Sequence, residues 1–212
     1  MAKIVNVDEK RKWICEKAYE QFLISGINNF SLTKFIASLN MSKGLFYYYF
    51  QTKEELIYEV INNKEQNIFN EMEKKISEAE TFYDKLLALF SFYLDSFTPE
   101  NQAFTKLMKN IFYMYINVEN KFIKQKNAEY YNYIFTITNK IFTEMIEKGY
   151  LKEDSKNFII SLISITDGMH LQSMILESYD LNRNLIDYIK ILDNLLTCDK
   201  LSGTVQNSVS NR

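Results

Sequence analysis

The sequence predicts an all-α protein, and three observations carry that expectation. Only one proline and five glycines occur in 212 residues, so little breaks the chain. Leu, Ile, Lys, Glu and Asn abound, and apolar residues recur every three or four positions behind residues that cap helices. No glycine-rich phosphate loop and no alternation of strand with helix interrupts the pattern. With 47% hydrophobic residues the chain can bury a sizeable core. About nine helices are expected: a head over residues 1–56, a body over 57–198, and a polar tail over 199–212 expected to be disordered.

The first helix is expected from Asp8, a capping residue, to Ser25, closing before Gly26; Ile14, Ala18 and Phe22 form its buried stripe. Lys10, Arg11 and Lys12 at its start either touch phosphates or are solvated, and Trp13 packs or flanks a phosphate. Ser31 caps a short second helix, Leu32 to Leu39, in which Phe35, Ile36 and Leu39 share a face. Asn40 then supplies a turn, because asparagine tolerates the left-handed backbone better than other non-glycine residues. Ser42 caps a third helix, Lys43 to Phe50, with Phe46 and Phe50 inward. Gly44 and Tyr48 are expected opposite the core with Leu45 and Tyr47 flanking, so the outer face offers an open backbone, an apolar side chain and the hydroxyls of Tyr47, Tyr48 and Tyr49. Such a face suits a DNA major groove, where apolar groups meet thymine methyls and hydroxyls meet phosphates.

Thr52 caps a long fourth helix, Lys53 to Glu78. A fifth is expected from Phe82 to Phe97, ended by Thr98-Pro99, and a sixth from Pro99 to Ile116. The seventh runs from Val118 to Lys148 and closes at Gly149. Asp154 or Ser155 caps the eighth, which continues to Ser178, and Asn182 or Asn184 caps the ninth, which ends near Thr197.

Net charge is −2, but residues 1–56 carry eight Lys/Arg against six Asp/Glu, a balance of +2 that leaves −4 for the rest. A DNA-facing head on a mildly acidic body fits that split. Cys15 and Cys198 show no metal or redox spacing and are expected as free thiols in a reducing cytoplasm. The N-terminus lacks a secretory pattern, and the apolar runs break well short of ~20 residues, so no membrane partner is expected.

The run from Ser31 to Leu56 resembles the helix-turn-helix of the tetracycline-repressor (TetR) family of bacterial transcriptional regulators. The resemblance rests on Ser42-Lys43-Gly44, Tyr47, Phe50 and Lys53-Glu54-Glu55-Leu56, with Ile14, Ala18, Phe22, Gly26 and Phe30 ahead of them. Gly149-Tyr150-Leu151-Lys152-Glu153-Asp154 and Asp167-Gly168-Met169 are similar to the family's junctions before and inside its penultimate helix, extending the likeness over residues 8–197. Leu32 stands where the family usually has threonine, and Asn40 where it usually has glycine. The resemblance implies a three-helix DNA-binding head, a helical effector-binding body and a homodimer through the last two helices. The DNA set is then Thr33, Lys34, Ser42, Lys43, Gly44, Leu45, Tyr47, Tyr48, Tyr49 and Lys53. Within it Lys43, Tyr47, Tyr49 and Lys53 meet phosphates, and Gly44, Leu45 and Tyr48 meet base edges.

The eighth and ninth helices carry apolar stripes, including Ile160, Ile163, Met174 and Ile175 and then Leu185, Ile189, Leu192, Leu195 and Leu196, more than one intrachain face needs. In the body, Tyr93, Met108, Phe112, Tyr115, Tyr131, Phe135, His170 and Met174 are candidate ligand residues, since aromatics and methionines with a few polar groups suit a hydrophobic effector. Core packing explains any single one of them better, and it is the set together that points to a ligand. One histidine and no metal-ligand or nucleophile–base spacing argue against an enzyme, and no cofactor or metal is expected. The expected function is a homodimeric repressor released from a pseudo-palindromic operator by a small effector. A binding protein with a vestigial head, or an activator, is the alternative.

Overall fold

Helix caps set the boundaries of the computed structural model, which describes residues 6–94, 107 and 121–198. Nine α-helices and one 3-10 helix are present among the described residues, with no β-strand. The helices are α1 (Val7–Ser25), α2 (Leu32–Ser38), α3 (Lys43–Tyr49), α4 (Lys53–Glu78), α5 (Phe82–Leu89), α6 (Ser91–Leu94), α7 (Lys121–Glu147), α8 (Ile159–Ile175) and α9 (Leu181–Leu196). The 3-10 helix, Glu153–Phe158, precedes α8.

Asn6 rather than Asp8 caps α1, its side-chain oxygen accepting from the Asp8 N–H at 3.1 Å. Gly26, at φ 72°, closes that helix by donating to the Phe22 carbonyl at 2.9 Å. Ser31, Ser42 and Thr52 cap α2, α3 and α4, as expected: their hydroxyls accept from Lys34, Leu45 and Glu55 N–H groups at 3.4, 3.1 and 2.9 Å. Asn40 adopts φ 53°, the left-handed turn expected of it between α2 and α3.

Further boundaries differ from expectation, among them the end of α8, which stops at Ile175 rather than Ser178. The fifth helix breaks at Phe90, whose backbone leaves the helix at φ −102° and ψ 16°, so α5 and α6 replace one continuous element. Asp154 and Ser155 cap nothing: they lie inside the 3-10 turn, where Ser155 is buried. Asp180, not Asn182 or Asn184, caps α9 by accepting from the Arg183 N–H at 3.0 Å. Asn182 instead donates to the Leu94 carbonyl at 3.2 Å, fastening α9 to α6. The sixth helix, the Thr98-Pro99 stop and the tail lie outside the described residues.

The chain divides into two compact units. Among the described residues the first draws on 6–70, 107 and 121–127, and the second on 71–94 and 128–198, so α4 and α7 each contribute to both. Residue 56, the expected end of the head, falls inside α4.

Aromatic packing builds the first unit. Phe22 meets Phe30 edge-on at 4.7 Å, Phe30 meets Phe35 at 5.1 Å, and Phe46 lies 5.8 Å from Phe50. On its other side, Tyr58 of α4 donates to the Asn127 side chain of α7 at 2.6 Å, with Phe122 against its ring at 5.5 Å.

The second unit packs α5, α7, α8 and α9 around Leu86, Phe142, Met145, Leu162 and Ile189, with Phe82 edge-on to Phe142 at 5.0 Å. Lys85, only 3% exposed, is satisfied by the Ile76 carbonyl at 3.0 Å and Glu144 at 3.2 Å. Leu185, Ile189, Leu192 and Leu196 are consumed by this core, a correction to their placement on an intermolecular stripe. On α8 and α9 the most open apolar residues are Ile160 (69% exposed), Ile175 (68%), Ile191 (65%) and Leu195 (51%). The segment Glu153–Ile175 is long and apolar enough, by length and composition alone, to cross a membrane. It nevertheless opens on a charged 3-10 turn, and α8 packs on α9 within the unit.

Candidate nucleic-acid interface

The outer face of α3 is open. Leu45, Tyr47 and Tyr48 are exposed, Tyr48 most of all at 69%, while Phe46 and Phe50 are fully buried. At Gly44 an added Cβ would meet nothing within 4 Å, so the backbone there is accessible. Thr33 and Lys34 on α2 and Ser42 and Lys43 at the start of α3 are also exposed. Seven residues of helix thus present a methyl-bearing side chain, two phenols and nearby ammonium groups to one side.

Tyr49 departs from the expectation. It is buried at 7% exposure, with its ring edge-on to Tyr48 at 5.1 Å. The reason is helical geometry: Tyr49 follows Phe46 by three residues and precedes Phe50, so all three share the inward face. Lys53 is half-buried rather than free, donating to the Phe30 carbonyl at 3.0 Å and lying 5.6 Å from the Phe30 ring.

The three basic residues that open α1 separate in role. Lys12 is exposed, whereas Lys10 sits over the Trp13 ring at 3.6 Å. Arg11 turns inward: its guanidinium bonds the Tyr49 carbonyl and both oxygens of Glu59, reaches Glu55 at 3.3 Å, and lies 4.4 Å from the Phe50 ring. Sequence reasoning missed this cluster. Its only trace is an arginine in α1 and two carboxylates four apart on α4, Glu55 and Glu59.

Of the expected ligand residues, Met108, Phe112 and Tyr115 lie outside the described residues. The second unit holds the others, and brings two of them into contact with each other. Tyr93 stacks on His170 at 4.7 Å and 35°. Tyr131 donates to the Asp167 carboxylate at 2.8 Å. Burial pushes the Tyr131 hydroxyl up to about 12 and raises Asp167 above the usual carboxylate range, against the pull of the Tyr131 bond. Asp167 and His170 lie one turn apart on α8, with Met174 a turn further on, half-buried. Phe135 is exposed on α7, one turn beyond Tyr131. Among the described residues no group of His, Cys, Asp and Glu is arranged to hold a metal.

Residues 14–60 match the family model for bacterial regulatory proteins, tetR family. That span runs from the core of α1 through α3 into α4 and takes in the head residues that carried the resemblance in the sequence. No curated protein matches the chain. Solved structures share the fold. A TetR-family transcriptional regulator from Cytophaga hutchinsonii is similar at 18% identity, covering 93% of this chain and 100% of its own, with a TM-score of 0.74. A protein from Saccharomonospora viridis, in complex with choline, is 14% identical over 90% of this chain and 99% of its own, TM-score 0.69. The transcriptional regulator FadR from Bacillus subtilis, in complex with stearoyl-CoA, is 22% identical over 84% of this chain and 95% of its own, TM-score 0.61.

Proposed function

From a head that matches the tetR family and a body with the fold of solved TetR-family regulators, we propose that this chain is a homodimeric, ligand-responsive transcriptional repressor acting in the cytoplasm. The observation that carries the reading is the open face of α3, with Gly44, Leu45, Tyr47 and Tyr48 outward above a closed aromatic core. Leu45 and Tyr48 read base edges where Gly44 lets the backbone approach, and Lys43 and Tyr47 hold phosphates. Ser42, Thr33 and Lys34 lie beside them. Lys53 spends one donor on the Phe30 carbonyl and has two left for a phosphate. Leu32 and Leu45, apolar and not hydrogen-bonding, leave the operator sequence open.

The head, residues 1–56, serves DNA, and the body, 57–198, serves effector and partner. Dimerisation uses α8 and α9, where Ile160, Ile175, Ile191 and Leu195 stand uncovered, and the two-fold axis sets two heads on a pseudo-palindromic site. The effector is small and largely hydrophobic, held near Tyr93, Tyr131, Phe135, His170 and Met174. The structures in complex with choline and stearoyl-CoA support a ligand-holding body in this fold. The choline complex also fits a positively charged group on the effector, because Asp167 pairs only with the Tyr131 hydroxyl and meets no cation among the described residues.

The test is selection of fragments from the host genome by the full-length chain, followed by fluorescence-anisotropy titration of the recovered sequences at moderate salt. The expected result is tight binding to a pseudo-palindrome near the gene itself and release by a compound tied to a neighbouring gene. A chain that holds a ligand but prefers no fragment is a small-molecule binding protein with a vestigial head, and overturns the reading. An activator would show the same binding with transcription rising.

A further inference from the structure

We propose that Arg11 is a positioning residue that locks the DNA-reading helix α3 to α4, and that specific DNA recognition depends on this lock although Arg11 touches no DNA. The inference rests on the regulator reading above.

Three elements meet at one guanidinium. Tyr49 is the last residue of α3, and its carbonyl is among those a helix end leaves without an intrahelical partner. Arg11 Nη1 donates to that oxygen. Nε donates to Glu59 at 3.1 Å, and Nη2 to Glu59 and to Glu55 at 3.3 Å, so both carboxylates come from successive turns of α4. The guanidinium carbon lies 4.4 Å from the centre of the ring of Phe50, the residue at which the chain leaves α3 with φ −137° and ψ 116°. Glu55 is fixed in turn, accepting from the Gln51 N–H at 2.7 Å in the loop between α3 and α4.

A planar fork is what this geometry demands. Lysine would keep the charge but cannot reach a carbonyl and two carboxylates while stacking on a ring. The guanidinium is half-buried and donates to protein oxygens from all three of its nitrogens, which corrects the expectation of a phosphate contact or a solvated cation. α3 has only seven residues, and Phe46, Tyr49 and Phe50 seat its inner side, so the fastening at its last turn sets its tilt. Small changes of tilt move Leu45 and Tyr48 off base edges but leave lysine–phosphate attraction intact.

The experiment compares the full-length wild type with Arg11→Lys and Arg11→Met. The probes are a duplex selected by the wild type from a randomised library and a scrambled duplex of equal length. Affinity for both is read across a salt series, and thermal unfolding is recorded for each variant. Arg11→Lys is expected to lose about tenfold on the selected duplex, as coupling through packed elements allows, while its affinity for the scrambled duplex and its salt slope stay those of the wild type. Arg11→Met is expected to lose the same preference and also to melt lower. Three results overturn the proposal. Binding of the selected duplex by Arg11→Lys at wild-type affinity removes the need for the fork. Equal loss on both duplexes with a slope shallower by about one makes Arg11 a phosphate contact. A loss that vanishes on cooling well below the melting temperature makes the role purely one of stability. A wild type with no preference for any duplex removes the regulator reading itself, and this role with it.

Discussion

The Tyr131 hydroxyl donates to the Asp167 carboxylate at 2.8 Å, joining α7 to α8 at the point where the body's aromatic residues gather. Burial raises Asp167 above its ordinary value, and the tyrosine bond opposes that rise. A carboxyl that titrates higher in the fold than in the unfolded chain supports folding below its ordinary value and loses that support as pH rises through the folded one. Tyr131→Phe should therefore push Asp167 higher and cost about 1 kcal/mol at neutral pH, whereas Asp167→Asn keeps an acceptor without the charge and should cost less. Thermal unfolding at acid and neutral pH checks both. In ligand titrations, Asp167→Asn should erase any preference for a positively charged hydrophobic compound over its neutral analogue.

Glu65 makes a sharper pH prediction. Burial pushes its carboxyl from 4.5 up to about 7. Its contribution to stability is complete below pH 4.5 and is lost as pH rises through 7, a change of order 3 kcal/mol if fully expressed. Glu65→Gln cannot lose it. The melting temperature of the variant should exceed that of the wild type by several degrees at pH 8 and match it near pH 4.5. Equal differences at the two pH values would place the carboxylate in water.

Why some features were legible and others not follows from their range along the chain. Caps and turns are local, so Ser31, Asn40, Ser42 and Thr52 announce α2, the turn, α3 and α4 almost to the residue. Tyr49 was misplaced because three tyrosines in a row suggest an outer face, while the spacing of Phe46, Tyr49 and Phe50 puts the third inward. Arg11 and Glu59 are 48 residues apart, and nothing local pairs them. The stop at Phe90 carries neither glycine nor proline, so tertiary packing ends α5 where local propensity would continue it. Leu185, Ile189, Leu192 and Leu196 of the α9 stripe face the unit's own core while Leu195 stays exposed, since periodicity reports that a face is apolar and not what buries it.

Uncovered apolar residues on α8 and α9 predict their own test. Ile175→Asp, and Ile160→Asp at the opposite end of α8, remove apolar surface that the second unit does not use, so each variant should fold. Sedimentation of the wild type at micromolar concentration should show a dimer, and the double variant a monomer. Melting should rise with concentration for the wild type only. A wild-type monomer would remove the seam.

Lys43 and Lys53 should behave differently on substitution by methionine. Lys43 is exposed, so Lys43→Met should leave stability unchanged and make the salt dependence of DNA binding shallower by about one. Lys53→Met also strips the half-buried Phe30 carbonyl of its donor, and should cost roughly 1 kcal/mol of stability in addition to its loss of affinity. Unfolding curves beside salt-titrated anisotropy separate the two effects. Equal stabilities for the two variants would mean that the bond to Phe30 contributes nothing.

Asn40 holds a left-handed backbone at φ 53° between α2 and α3, where the peptide N–H groups of Asn40 and Met41 close onto the Ala37 and Ile36 carbonyls at 3.0 and 3.3 Å. The turn sets the angle between the two helices, so strain there reaches both stability and recognition. Asn40→Gly relieves the Cβ but loosens the unfolded chain, and those effects offset to within about 1 kcal/mol. Asn40→Val puts a β-branched side chain where L-residues are crowded and should cost about 1 to 3 kcal/mol. If the turn only connects, Asn40→Val will melt lower yet bind the selected duplex normally at a temperature where it is folded. If it also sets the placement of α3, the variant will lose preference for that duplex under the same conditions, and we expect this second outcome because seven-residue helices have few other contacts to restore the angle.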